Sequence, residues 1–239
     1  MSFSENTVYS SSFIKRFTHS SRIKIAIEIL KSFDSKNLSI LDYGSGDGIL
    51  IKKIIDTENV NCNNVYAFEP LIERFEELDI AFKKNKKITI SRNINDIKKD
   101  LDIVFCLEVL EHLNEKNLKI AFNRMKKILK KSGYIVVSVP IETGFAGLLK
   151  NIIRYIISQP HKGFSFIKYF KNIFGYKINR IEENNDFIES HFGFSHKNLE
   201  KEFIRNRLII KKKIYSPFKV GGTILNSQIF YILIKEIDL

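Results

Sequence analysis

The sequence predicts an α/β fold: an open, mostly parallel sheet with helices on both faces. Three observations carry this reading. From Ser39 to Pro140, short β-branched runs alternate with helical patterns, which is the signature of a parallel sheet covered on both sides. The first of these runs leads directly into Gly44-x-Gly46-x-Gly48 and then an apolar helix, a sharp strand-to-helix turn at which bare backbone is left open to a ligand. The last two strand-like runs, Arg207 to Tyr215 and Ser227 to Ile237, are joined through Pro217 and Gly221-Gly222 and read as an antiparallel hairpin.

The elements follow in order. Ser21 to Phe33 reads as an amphipathic helix with Ile23, Ile27 and Leu30 turned inward. Five strand runs come next, Ser39–Asp42, Val65–Phe68, Ile88–Ile90, Leu101–Phe105 and Tyr134–Val139. The helix between the fourth and fifth has Asn114 as its N-cap and one apolar stripe of Leu118, Ala121, Phe122, Met125, Ile128 and Leu129, with Gly133 as its C-terminal stop. After the fifth run the alternation breaks. The roughly sixty residues from Ile141 to Glu200 are too many for an ordinary connection and read as an inserted, partly helical lid. One domain over 1–239 thus divides into an N-terminal helical cap (1–38), a core (39–140), the lid (141–200) and C-terminal strands (201–239).

Composition narrows the function. With 44 % apolar and 12 % aromatic residues the chain builds a real core, which excludes disorder and fibrous repeats. Lys and Arg number 39 against 27 Asp and Glu, a formal charge of +12 that favours an anionic partner, although Lys, Ile and Asn are abundant throughout and part of the excess lies on solvated faces. Cys62 and Cys106 lack the spacing of a disulfide framework or a zinc site, a reducing cytosol fits, and no metal centre is expected. The polar N-terminus is unlike a signal peptide and no apolar run approaches the length of a spanning helix, so a cytoplasmic protein with room for peripheral membrane contact is expected.

The chemistry is concentrated around the glycines. GxGxG is not the dinucleotide fingerprint, whose third glycine would fall at Ile49, and no Gly-Lys-Ser/Thr of a phosphate loop follows. Asp42 precedes the turn and Ser45 lies within it. Glu69 ends the second strand run, about twenty residues past the glycines, where a carboxylate can accept both hydroxyls of a ribose. Strand, GxGxG, helix, strand and terminal Glu occur in that order.

In these residues the chain resembles the class I S-adenosylmethionine-dependent methyltransferases, especially the small-molecule group that includes the ubiquinone-biosynthesis O-methyltransferases. Asp102-Ile-Val-Phe-Cys-Leu-Glu-Val-Leu-Glu-His-Leu113 resembles that group's fourth-strand motif, and Tyr134 to Pro140 its fifth strand. Asn93-Ile94 stands where the family contacts adenine, with Asn93 in place of the common Asp. The resemblance implies a Rossmann-like, seven-stranded sheet with an antiparallel last strand. It implies S-adenosyl-L-methionine as cofactor, S-adenosyl-L-homocysteine as product, and Asp42, Gly44, Ser45, Gly46, Gly48, Glu69, Asn93, Ile94 and Leu107 as cofactor-binding residues. Over Ile141 to Glu200 the likeness is only a vague one, to methyltransferases of bacterial surface-glycan pathways.

Methyl transfer from a sulfonium requires mainly alignment and exclusion of water, and a hydroxyl acceptor must also lose its proton. His112 is the first candidate for the base, against a role in packing the helix start; His191 and His196, flanking Phe192-Gly-Phe-Ser195, are further candidates. The Asp/Asn-Pro-Pro-Tyr of base N-methylation and the Pro-Cys of cytosine C5-methylation are absent. Glu108 and Glu111 are too close for the paired glutamates that grip a guanidinium. The leading expectation is methyl transfer to a hydroxyl of a small molecule or saccharide, with a surface-glycan precursor as one such acceptor. The alternatives are an RNA methyltransferase, for which no binding module is found, and a non-catalytic adenosylmethionine-fold binding protein, against which GxGxG and Glu69 argue. Between Phe145 and Ile181 the lid carries Lys150, Arg154, Lys162, Lys168, Lys171, Lys177 and Arg180 among aromatics without an acid, which favours an anionic acceptor or an anionic membrane surface beneath Leu148, Leu149, Ile152, Ile153 and Ile156.

Overall fold

The computed structural model describes residues 13–33, 37–58, 60, 62–142, 180, 188, 191, 193–218 and 220–236. The elements, in chain order, are α1 (Phe13–Ser32), β1 (Leu38–Tyr43), α2 (Ile49–Ile55), β2 (Cys62–Phe68), α3 (Ile72–Phe82), β3 (Ile88–Ser91), β4 (Leu101–Leu107), α4 (Glu115–Ile128), β5 (Leu129–Pro140), α5 (His196–Arg205), β6 (Leu208–Ser216), the short α6 (Gly222–Leu225) and β7 (Gln228–Lys235). Single turns of 3-10 helix lie at Ile94–Asp96 and Leu110–His112.

The strands form a seven-stranded sheet in the order β3-β2-β1-β4-β5-β7-β6. The first five are parallel, and β7 runs antiparallel between β5 and β6, as the hairpin reading expects. The order reverses between β1 and β4, so a crevice opens beyond their carboxyl ends, the usual ligand position in such sheets. Side chains alternate across the sheet and divide the core in two. Ile40, Ile103, Phe105, Val136 and Phe230 face α1 and α2. Leu41, Val104, Cys106, Val137 and Tyr231 face α4 and α5. Phe203 of α5 meets Phe122 of α4 edge-on at 5.6 Å and Tyr231 at 5.2 Å, which clamps the second layer to the sheet.

Three sequence expectations are corrected in detail. Helix α1 begins at Phe13 rather than Ser21, and it buries Ile25, Ala26 and Ile29 in addition to Ile23, Ile27 and Leu30. Among its described side chains, Ser20, Lys24, Glu28, Lys31 and Ser32 are exposed, and the sheet and α2 enclose the apolar ones. Helix α4 ends at Ile128, not at Gly133: Leu129 leaves the helical stripe and pairs with Leu101, so the backbone is already extended there. Gly133 instead lies inside β5, where a Cβ would sit 2.7 Å from the Leu129 side chain and 3.0 Å from the Asp102 carbonyl. The Asn114 cap stands, its side chain accepting from the Asn117 N–H at 2.9 Å.

Apart from Arg180, the lid's basic and aromatic stretch lies outside the described residues. Of 141–200, residues 141, 142, 180, 188, 191 and 193–200 are described; the last of these enter α5, which starts at His196 and buries Leu199 in the core shared with α4. No helix among the described residues is long and apolar enough to cross a membrane.

Candidate active site

The site is built where the parallel strands end. Beyond β1, Gly44 and Ser45 both donate their N–H groups to the Phe68 carbonyl, at 2.8 and 3.1 Å, and Ser45 Oγ donates back to the Asp42 carbonyl at 2.8 Å. Gly44 takes φ +81°, and a Cβ there would lie 2.6 Å from Val109 Cγ2; Gly48 takes φ +72° and would meet Leu78 and Phe82 at 2.6 Å. These two glycines are required by conformation and by packing together. A Cβ on Gly46 would meet nothing nearer than Arg74 Nη1 at 3.5 Å, so the middle of the turn is open.

Glu69 follows β2 directly, and its carboxylate is held at both ends. Oε2 accepts from the Gly46 N–H at 2.8 Å and Oε1 from the Leu71 N–H at 3.0 Å. Burial raises its pKa, while those two N–H groups and Arg74 pull it back. Asp42 lies in β1, paired in register with Ala67 of β2 and Phe105 of β4, and is buried. Burial, then Glu69, then Asp47 push its carboxyl up to about 8.

This shift has a consequence for stability. The native state holds the Asp42 proton longer than the unfolded chain, so the contribution of this group is full below the ordinary value of 3.8 and is lost as pH rises through about 8. Asp42→Asn is therefore expected to flatten the decline of Tm between pH 4 and 8, measured by thermal unfolding. Equal slopes for the two proteins would show that Asp42 ionises at its usual pH.

Asn93 caps the 3-10 turn at Ile94–Asp96, its Oδ1 accepting from Asn95 N and Asn95 Nδ2 at 3.1 Å, while Ile94 is buried beneath. Leu107 ends β4, partly buried against the α1 side of the core.

The fourth strand delivers the second half. Glu108 takes φ +56°, the left-handed region that a side chain adopts only when its surroundings impose it. Its N–H donates to the Ser138 carbonyl at 3.0 Å and its Oε1 accepts from Ser138 Oγ at 3.1 Å, while Arg22 of α1 lies 3.7 Å from Oε2. Val109 then packs on Gly44, so the turn at Leu110–His112 abuts the glycine turn. His112 Nδ1 lies 2.8 Å from the Ile188 carbonyl and its Nε2 3.3 Å from His191 Nε2. Burial lowers the His112 pKa, so its ring is neutral at pH 7.

The two histidines expected from the sequence, 79 positions apart, are thus brought together. His196 is not with them. It opens α5, buried, with Glu200, Lys197 and Lys213 as its charged neighbours, none of which acts on His112.

Three acids and two arginines were missed as site residues. Glu111 is fully buried, with neither carboxylate oxygen hydrogen-bonded among the described residues, and burial and Glu108 hold it well above the usual carboxylate range. Arg180 opposes it and is itself lowered by burial to about 10. Buried Glu142, just past β5, places Oε1 3.9 Å from His191 Nδ1. Glu108 and Arg22 complete the group. A sequence signal existed for the turn, in Glu108-x-x-Glu111-His112 following an apolar strand, and for Arg180 in the acid-free basic stretch; none existed for Glu142 or Arg22.

A parallel sheet reversing at β1/β4, a GxGxG turn and a terminal Glu define an adenosylmethionine-dependent methyltransferase of class I. The chain belongs to the methyltransferase-domain family, which it matches over residues 17–174. It is 30 % identical over 157 residues to a ubiquinone biosynthesis O-methyltransferase of Rickettsia bellii, covering 62 % of this chain and 63 % of that protein. It is 29 % identical over 158 residues to the protein of the same name from Rickettsia prowazekii, covering 62 % and 60 %. The match therefore spans less than two thirds of the length of these curated relatives. The fold matches the methyltransferase domain of bacterial CtHen1-CN, with a TM-score of 0.62 at 13 % identity over 91 % of this chain and 99 % of that one. It also matches magnesium protoporphyrin IX methyltransferase from Synechocystis PCC 6803, solved with S-adenosylhomocysteine bound, with a TM-score of 0.60 at 12 % identity over 95 % and 89 %.

Proposed function

We propose that the chain moves the methyl group of S-adenosylmethionine to a hydroxyl of a small molecule or saccharide. The observation that carries this reading is the contact between the two halves of the site. Through Val109 and Gly44, the turn bearing His112 is packed directly on the glycine turn, so a proton-accepting group and a cofactor cradle share one edge of the sheet.

The residues present fit the cofactor. Gly46 leaves its face of the turn open, and Glu69, fixed by two N–H groups, keeps acceptor lone pairs for two ribose hydroxyls. Asp42, Gly44, Ser45 and Gly48 shape the turn, and Asn93, Ile94 and Leu107 flank it as the adenine side. When bound, the cofactor supplies an electrophilic methyl on a sulfonium. The chain's own residues align the acceptor, exclude water and receive a proton. His112, neutral and steered through Nδ1 by the Ile188 carbonyl, faces His191 with Nε2, and this pair acts on the acceptor hydroxyl.

A hydroxyl is supported over other acceptors by the names of the Rickettsia relatives. The formal charge of +12 and the acid-free stretch from Phe145 to Ile181 favour an anionic acceptor at a cytoplasmic or anionic-membrane surface. The test is direct: the chain is incubated with S-adenosylmethionine and, separately, a catechol acid, a nucleotide-linked saccharide and a short RNA, and products are read by mass. A one-methyl gain on an oxygen of either small acceptor is expected. Methylation confined to RNA would overturn the acceptor class, and failure to bind S-adenosylmethionine would overturn the enzyme reading.

A further inference from the structure

The two ends of the strands carry opposite charge. Beyond the carboxyl ends of β4, β5 and β6, residues 108–114, 141–142 and the described part of 217–227 hold Glu108, Glu111 and Glu142 and, among the described residues, neither Lys nor Arg. At the amino ends the balance reverses. Lys98 and Lys99 precede β4, and Lys126, Lys127, Lys130 and Lys131 straddle the junction of α4 with β5. Arg205 and Arg207 lead into β6, and Lys235 ends the antiparallel β7 at the same edge, in register with Leu208. Because β4, β5, β7 and β6 are neighbours in the sheet, these groups form one rim. Lysine spread evenly over solvated faces does not divide this way between the two ends of the same strands. We propose that the rim docks the phosphate backbone of a nucleic-acid duplex. It lies a full strand length, about 20 Å, from the glycine turn and His112, so the bound duplex is a partner and not the methyl acceptor.

Part of this charge is structural. Lys126 Nζ donates to the Asn206 carbonyl at 2.8 Å, and Lys235 Nζ donates to the Leu129 and Lys126 carbonyls at 2.6 and 3.2 Å. These bonds tie the ends of α4, α5 and β7 together. Lys130 pairs with Asp102 at 2.7 Å, and Arg205 with Glu202. Folding makes no such use of Lys98, Lys99, Lys127 and Lys131, which are exposed and make no hydrogen bond or ion pair among the described residues. The cations also crowd one another. Burial and then Arg207 lower the pKa of Lys126; burial lowers that of Lys235, with Asp100 opposing the shift and Lys131 adding to it. A polyanion laid along the rim relieves that repulsion.

The dimensions and the chemistry of the rim select a duplex. Neighbouring strands lie about 4.8 Å apart, so the row from β4 to β6 is roughly 14 Å wide, close to the ~12 Å of a B-form major groove. Lys98 and Lys99 at one end and Arg207 at the other thus stand at the spacing of phosphates across one groove, with Lys127 and Lys131 between them. Single strands are gripped by stacking as well as by charge, and none of these connections presents an exposed aromatic ring. Contacts to phosphate alone need no such ring and carry no sequence preference. An anionic bilayer is the rival. It would use Ile204 and Ile209, exposed at the β6 end of the rim, but residues 98–100 and 126–132 expose no apolar side chain to insert.

The experiment titrates the full chain into labelled short duplexes of RNA and of DNA, a single strand of the same length, and anionic and neutral vesicles, with anisotropy or sedimentation read across salt concentrations. Duplex binding is expected with a Kd of about 10⁻⁴–10⁻⁶ M at physiological salt. Four lysines on phosphates give log K a slope of about −3 to −4 against log salt on DNA. A preference between RNA and DNA names the source of the backbone and supports the rim in either case. Lys98→Gln, Lys99→Gln, Lys127→Gln and Lys131→Gln together are expected to weaken binding at least tenfold and to flatten the slope. Gln at the equally exposed Lys52, Lys53, Lys211 and Lys212 removes the same charge and is expected to keep most of the affinity. S-adenosylmethionine affinity is expected to stay unchanged in both variants and with duplex bound. If the fourfold rim variant fails to fold, Lys127→Gln with Lys131→Gln is read in its place, with the slope expected to fall by about 2. No duplex binding at low salt, equal loss in the rim and control variants, or tighter binding of the single strand overturns the proposal. So does binding to anionic vesicles alone, which would give the rim to a membrane, or competition between duplex and S-adenosylmethionine, which would move the nucleic acid to the catalytic edge.

Discussion

The His112→Ala protein is expected to turn over about 10²–10⁴-fold more slowly than the wild type while binding S-adenosylmethionine almost equally well. The split follows from position. His112 sits on the far side of Val109 from the glycine turn, and its ring is held by the Ile188 carbonyl and His191, not by the residues around Glu69. Removing it deletes a group that handles the acceptor hydroxyl and leaves the cofactor cradle standing. The pH profile adds a signature. Burial keeps the neutral form of His112 dominant to lower pH than for a free imidazole, so the acid limb of kcat/KM is expected below the ordinary value of 6.5. Steady-state kinetics with calorimetry on the same samples check both parts. Full activity in a folded His112→Ala protein would make the ring a packing element and move attention to His191.

The parts of this molecule that were legible in the sequence are those written locally. The glycine turn, the acid after β2 and the five parallel strands each depend on neighbours within a few residues, and the structure places them where the pattern does. The antiparallel hairpin was legible for the same reason. Long-range packing set the rest. Helix α1 carries isoleucine at 23, 25, 27 and 29, which reads as strand alternation as readily as a helical stripe, and only the sheet and α2 enclosing it make every one of those positions inward. Leu129 fitted the α4 stripe by spacing, yet its pairing with Leu101 decides its conformation. At the site, His112 and His191 were identifiable by residue type, but their contact depends on how the segment around Ile188 returns to the turn after β4. The sequence presents Glu111 only as half of a glutamate pair spaced too closely to grip a guanidinium. Its burial, which gives it meaning, is a property of the folded core and not of its neighbours in sequence.

Glu69→Ala is expected to weaken S-adenosylmethionine binding at least tenfold in a protein that still folds. Two losses combine. The carboxylate is the acceptor proposed for the ribose, and a charge-assisted hydrogen bond of that kind is worth roughly 1.5–3 kcal/mol, so losing one already approaches or exceeds tenfold. The same carboxylate accepts from Gly46 N–H at 2.8 Å and from Leu71 N–H at 3.0 Å, tying the open middle of the glycine turn to the start of α3. With alanine, both N–H groups lose their acceptor and the turn loses the contact that sets its distance from β2. Glu69→Gln separates the two losses. Its amide keeps the shape but offers one accepting oxygen, so it can serve Gly46 or Leu71 and not both. An intermediate affinity for Gln, between wild type and Ala, is therefore expected by calorimetry, with thermal unfolding confirming that each variant is folded. Affinity unchanged in folded Glu69→Ala would place the cofactor pocket away from the carboxyl ends of β1 and β2.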